Sequence, residues 1–153
     1  MNTTTPLNVK KIDISQQELI QQANQAKNMA FAPISGFKVG AALVTSQGKF
    51  YLGCNIENIS LSLSICAERV AFLKALSEGE REFTTLSLVS DSDKIITPCG
   101  ACRQLIWEFA PDLTIIMGNS QGEIQCVKIA ELLPQAFNFS LPHKKMVKSK
   151  HDA

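Results

Sequence analysis

Two short segments constrain this chain more than anything else in it: Cys66-Ala67-Glu68 and, further on, Pro98-Cys99-Gly100-Ala101-Cys102. Each opens a stretch that patterns as a helix. Residues 66–77 set Val70, Leu73 and Leu76 on one side with Ala67, Ala71 and Ala75 available for close packing, and residues 99–109 begin after Pro98 and stop before Pro111. Sulfurs at a helix N-terminus lie near unpaired amides and the positive end of the dipole, which favours thiolate, the form that binds metal. If the fold joins the two helix starts, three sulfurs meet on one ion. Zn²⁺ then keeps one of its four tetrahedral positions for water, as catalytic sites do. Glu68, two residues past Cys66, can reach such a water without being a ligand. Three thiolates on Zn²⁺ leave a net −1, so a compensating cation is expected. Arg69 is the candidate to donate hydrogen bonds to the sulfurs, and Arg103 follows the second motif in the same way.

The rest of the composition removes competing chemistries. The only two histidines, His143 and His151, lie near the C-terminus, which leaves no imidazole for a Ser-His-Asp triad, a Cys-His pair or an H-E-x-x-H zinc site. Five cysteines are an odd number, and the opening residues lack the apolar core of a signal peptide, so reduced thiols in a cytoplasmic protein are expected. No stretch approaches the roughly 18 apolar residues of a membrane span. At 153 residues and 45% hydrophobic content the chain suits one domain over residues 15–140, after a flexible segment 1–14 and before a basic, disordered tail 141–153. The net charge is +1; residues 142–153 carry four Lys against one Asp, which leaves the rest at −2 and makes nucleic acid an unsuitable partner.

Ser15 and Glu18 form a capping-box pattern ahead of Leu19, Ile20, Ala23, Ala26 and Ala30, which predicts a helix running toward Pro33. Residues 37–45 and 49–54 read as a hairpin around Ser46-Gln47-Gly48. Strands are predicted at 84–90, 113–117 and 124–127, and a short closing helix at 129–133. That order gives an α/β fold, one mixed sheet of about five strands with helices on both faces. Trp107 reads as helix packing, and Cys54 and Cys126 as small apolar strand residues.

Cys-Ala-Glu followed by Pro-Cys-Gly-Ala-Cys-Arg-Gln resembles the small zinc-dependent cytidine deaminases. The likeness extends to Phe37-Lys38-Val39-Gly40-Ala41-Ala42-Leu43, to Gly53-Cys54-Asn55-Ile56-Glu57-Asn58, to Ser77-Glu78-Gly79, and to Leu132-Leu133-Pro134 with Phe137. It implies a three-layer α/β/α deaminase fold, assembled as a homotetramer, with one Zn²⁺ per subunit on Cys66, Cys99 and Cys102. It also implies that Asn55 and Glu57 hold the ribose hydroxyl, that Phe37 lines the pocket, and that Glu68 and the Ala67 backbone meet the pyrimidine edge. Phe137 of a neighbouring subunit stacks on the base in this family. In the reaction so implied, Glu68 takes a proton from the water attacking C4 of cytosine and passes protons to the ring nitrogen and the departing amine. The substrate is then a small nucleoside, cytidine or deoxycytidine, in pyrimidine salvage. Ile34 and Leu61 depart from the family pattern, where Tyr is common.

Other readings stay open on the residues alone. A deaminase of a modified nucleoside, such as the blasticidin type, resembles the zinc signature but lacks the Asn-x-Glu pair. A polynucleotide deaminase would need a basic, aromatic-studded groove. Cys99-x-x-Cys102 by itself suits a redox protein, and the three cysteines suit a zinc-stabilised interaction domain without turnover.

Overall fold

The structure, a computed structural model, describes residues 14–138. The N-terminal segment through residue 13 and the basic tail therefore lie outside the described residues. Helix α1 (Gln16–Lys27) starts at Ser15, whose Oγ accepts the Glu18 amide at 3.2 Å. It ends at Asn28, short of Pro33, because the chain beyond is drawn into strand-like pairing. The Phe31 amide donates to the Asn55 carbonyl, and the Phe31 carbonyl accepts from Glu57. Strands β1 (Val39–Thr45) and β2 (Phe50–Cys54) form the expected hairpin, with Gly48 at φ 80° in its turn.

Helix α2 (Ala67–Ser77), β3 (Phe83–Ser90), α3 (Gly100–Phe109), β4 (Thr114–Gly118), β5 (Ile124–Lys128) and α4 (Ile129–Leu132) complete the order. The sheet runs β2-β1-β3-β4-β5, with β3 and β4 parallel and every other neighbour pair antiparallel. Alternation along the strands divides the interior into two. Ala41, Leu43, Leu86, Leu88, Ile115 and Met117 face a main core shared with α2 and α3, against which Trp107 also packs. Ala42, Val44, Val89 and Ile116 face α1 on the other side. Helices thus cover both faces of one mixed sheet, as predicted.

The topology itself places the site. Because β2 and β3 both run antiparallel to β1, they are parallel to each other, and α2 and α3 cross over the same face after them. Their N-termini consequently emerge side by side at the carboxyl ends of β2 and β3, where open α/β sheets bind ligands. The start of β1 lies at that edge too, with Val39 opposite Ser90.

Helix α2 packs closely through Ala67, Ala71 and Ala75 as predicted, but Leu73 does not share the inward side. Ala67, Glu68, Ala71, Phe72 and Ala75 are buried, whereas Leu73 faces outward. The reason is close approach to β2: a Cβ on Gly53 would lie 2.2 Å from the Ala67 carbonyl oxygen and 2.6 Å from the Ala71 nitrogen. Only small residues fit between helix and strand there. Gly53→Ala must push α2 outward. It should destabilise the protein by at least the ~1–3 kcal/mol of an overpacked core and lower zinc retention, both readable by thermal melts and metal analysis.

Candidate active site

Cys66 and Cys99 occupy the N-cap positions of α2 and α3, and neither side chain caps its own helix. Their Sγ atoms instead face each other at 4.0 Å. Cys102, one turn into α3 and fully buried, brings a third sulfur, and all three lie within 4.8 Å of one another. Two sulfurs each about 2.3 Å from a tetrahedral zinc would stand about 3.8 Å apart, so both the spacing and the soft donor set fit that ion.

The electrostatics carry the same message. The hydrogen bond from Cys102, followed by that of Cys99 and the Arg69 charge, pulls the Cys66 thiol down to about 6 against the opposing effect of burial. The same bond to Cys66, then burial and the charge of Glu68, push Cys102 strongly up. Three thiols this close compete to hold one negative charge, and a divalent cation among them removes the competition.

Glu68 is buried to 4% exposure in the first turn of α2. Burial pushes its carboxyl up to about 7, opposed by its own backbone amide; Cys66 adds to the rise, while a hydrogen bond to Cys102 and the charge of Arg69 work against it. A carboxyl raised toward neutral pH beside a metal-binding cluster is poised to exchange protons.

The two arginines do different work from each other. Arg69 donates from Nη2 to the Ser64 carbonyl at 3.2 Å, and its buried Nε has no hydrogen-bond partner. Its link to the cluster is the charge felt by Cys66 and Glu68. Arg103 is no solvated surface residue. Its guanidinium donates to the Pro98 carbonyl at 2.7 Å, to Thr97 Oγ1 at 2.6 Å and to the Leu132 carbonyl at 2.9 Å, bracing the approach to Cys99 against α4.

Asn55 and Glu57 stand where β2 runs out, and both reach across to the start of β1. Asn55 accepts the Val39 amide on Oδ1 and donates to the Phe37 carbonyl from Nδ2, each at 2.8 Å. Glu57 accepts the Ile34 and Ser35 amides at 2.8 and 3.1 Å, and also the Ser35 hydroxyl. The Ser35 hydroxyl holds the Glu57 carboxyl below its usual range, with the two amides acting in the same direction. The pair therefore shapes the loop carrying Phe37, whose ring is partly exposed at the same sheet edge. Neither side chain is saturated, since a carboxylate offers about four acceptor sites and an amide two donors.

Phe137 sits on the segment after α4, away from that edge in sequence and held by Gln104 of α3. Ser35 was not singled out by sequence reasoning, and Gln104 closed the second motif without a role of its own. Both act through side-chain contacts between segments distant in the chain, a signal that periodicity does not contain.

A family model described as the cytidine and deoxycytidylate deaminase zinc-binding region matches residues 13–118. A cytidine deaminase of Halalkalibacterium halodurans is 46% identical over 125 residues, covering 81% of this chain and 95% of that protein. The crystal structure of cytidine deaminase from Burkholderia pseudomallei superposes with a TM-score of 0.79 at 45% identity, over 81% of this chain and all of that one. A blasticidin-S deaminase of Bacillus cereus is 33% identical over 136 residues, 82% of this chain and 96% of that protein. Since the match spans both thiol-bearing helix starts and the relatives align over nearly their whole length, the chain belongs to the zinc-binding cytidine and deoxycytidylate deaminase family.

Proposed function

We propose that the protein deaminates cytidine, and deoxycytidine with it, by zinc-dependent hydrolysis to the uracil nucleoside and ammonia. The observation that carries this is the convergence of Cys66, Cys99 and Cys102 within 4.8 Å beside the buried Glu68. Cys66, Cys99 and Cys102 hold the metal. When bound, Zn²⁺ supplies the Lewis acidity that makes water a nucleophile near neutral pH. Glu68 takes one proton from the attacking water on its carboxylate and delivers it to the ring nitrogen, then takes the second proton from the hydroxyl newly formed on C4 and delivers it to the departing amine; its raised affinity for a proton suits both transfers. The Ala67 backbone and Glu68 read the pyrimidine edge. Arg69 offsets the thiolate charge from beside the cluster.

Phe37 lines the nucleoside pocket, and the unused acceptor of Glu57 with the remaining amide hydrogen of Asn55 binds the sugar hydroxyl. A nucleoside with that hydroxyl satisfies both groups, which favours cytidine over the blasticidin type of substrate. The free base leaves them unpaired and should be turned over on the order of 10⁴-fold less efficiently. The test is the ultraviolet change on mixing zinc-replete protein with cytidine, with cytosine alongside. Conversion of cytidine alone supports the reading, and no conversion by folded, zinc-loaded protein sinks it.

The working form is a homotetramer in which Phe137 of one copy stacks on the base in another. Support comes from apolar side chains left in water around the approach to α2, with Ile59 96% exposed and Leu61, Leu63, Met29 and Phe31 exposed as well. A sedimentation mass of four chains is the expected result, and a monomer at micromolar concentration would end this reading. The reaction fits pyrimidine salvage. A cytoplasmic location is supported by five cysteines with no disulfide among them. No helix among the described residues is long and apolar enough to cross a membrane.

A further inference from the structure

Phe137 combines two properties, a residue exposure of 71% and a backbone fixed at two points. The Gln104 side chain accepts the Phe137 amide on Oε1 at 3.1 Å and donates from Nε2 to the Phe137 carbonyl at 2.8 Å. One amide side chain thus makes both hydrogen bonds that a neighbouring strand would make to that residue. Holding a residue's backbone in one conformation costs conformational entropy. Here that ordering leaves the residue exposed. It does lower the entropy still to be lost when the ring meets a partner, which is how rigid surface aromatics strengthen recognition.

The clamp also has a fixed origin. Gln104 adjoins Arg103, whose guanidinium holds the Leu132 carbonyl at the end of α4 while also gripping Thr97 and Pro98 ahead of Cys99. The root of the Phe137 segment and the entry to the thiol cluster are therefore set by adjacent residues of one helix. We propose that Gln104 is a positioning residue that presets the Phe137 ring for the active site of a second copy of this chain. The inference rests on the reading that Phe137 acts across the subunit boundary, and it adds the group that places it.

The experiment compares zinc-loaded Gln104→Ala, Gln104→Glu, Phe137→Ala and the Gln104→Ala/Phe137→Ala double variant in KM, kcat, zinc content and sedimentation mass. Gln104→Ala should raise KM for cytidine about 3–10-fold, the loss expected when one preordered side chain must be ordered anew, and change kcat by less than about 2-fold. Gln104→Glu keeps the acceptor for the Phe137 amide and should fall between parent and Gln104→Ala. Backbone exchange at the Phe137 amide should quicken in Gln104→Ala, a readout independent of turnover. The double variant should bind no more weakly than Phe137→Ala alone, because the clamp acts only through that ring. Additive losses in the double variant, or a Gln104→Ala protein that loses zinc or kcat in place of KM, would overturn the proposal. So would an unchanged KM in Gln104→Ala beside an impaired Phe137→Ala. If Phe137→Ala itself leaves KM at the parent value, the cross-subunit reading fails first and the role of Gln104 falls with it.

Discussion

Glu68→Gln should leave one zinc per chain in place and lower kcat for cytidine by at least about 10²–10⁴-fold, the range for a lost general acid–base. The substitution keeps the size and most hydrogen-bonding capacity of the side chain, so the interior of α2 that buries Glu68 need not rearrange. What disappears is a group able to take up and release a proton. At a loss of 10²–10⁴ in rate the barrier rises by about 3–5 kcal/mol, well beyond what a shift in substrate position within an intact pocket accounts for. Glu78→Gln is the control, because that carboxylate is engaged with Lys49 and Tyr51 at the far end of α2 and should alter stability without touching kcat. Parent-like turnover by a zinc-loaded Glu68→Gln protein would remove Glu68 as the proton carrier.

Cys102→Ala should abolish turnover by a different route, through loss of the metal. Of the three sulfurs it is the one fully buried, so neither solvent nor a nearby side chain can replace it readily as a donor. Zinc content should fall close to zero. With zinc at 10²–10³ times its dissociation constant, binding stabilises the native state by about 3–4 kcal/mol, so the variant should melt lower by on the order of 10 °C. Parent protein stripped by a chelator should melt where the variant melts, and readdition of zinc should rescue only the parent. Cys126→Ala, on the exposed edge strand β5, should match the parent in every measurement. A Cys102→Ala protein that retains stoichiometric zinc would mean that another donor set holds the ion.

Much of the local architecture was legible because it depends on neighbours in sequence. Ser15 caps the first helix, Gly48 turns the hairpin at positive φ, and the strands lie within a residue or two of their predicted ends. The misreadings came where a distant segment decided the outcome. Helix α1 stops at Asn28 because Phe31 finds partners at Asn55 and Glu57, and Leu73 of α2 is left exposed because the helix approaches Gly53 through the expected alanines. The short 3-10 turn Leu61–Leu63 also went unpredicted, since its serine-rich, apolar sequence carries no cap or period.

The candidate site divides along the same line. The residue types, their spacing and the near absence of imidazole by themselves singled out three cysteines and one glutamate as the candidate set, because metal binding and proton transfer are properties of side chains. Only the tertiary structure decided that they meet. Two strands parallel to each other on either side of β1 send α2 and α3 across one face in the same direction, which sets Cys66 and Cys99 4.0 Å apart. The tertiary structure also decided that Asn55 and Glu57 tie the Phe37 loop, that Arg103 braces the second motif, and that Gln104 holds Phe137. Each of these is a contact between segments far apart in the chain. Sequence lists the groups available for such contacts, while the packing of helices on the sheet selects which of them come within hydrogen-bonding distance.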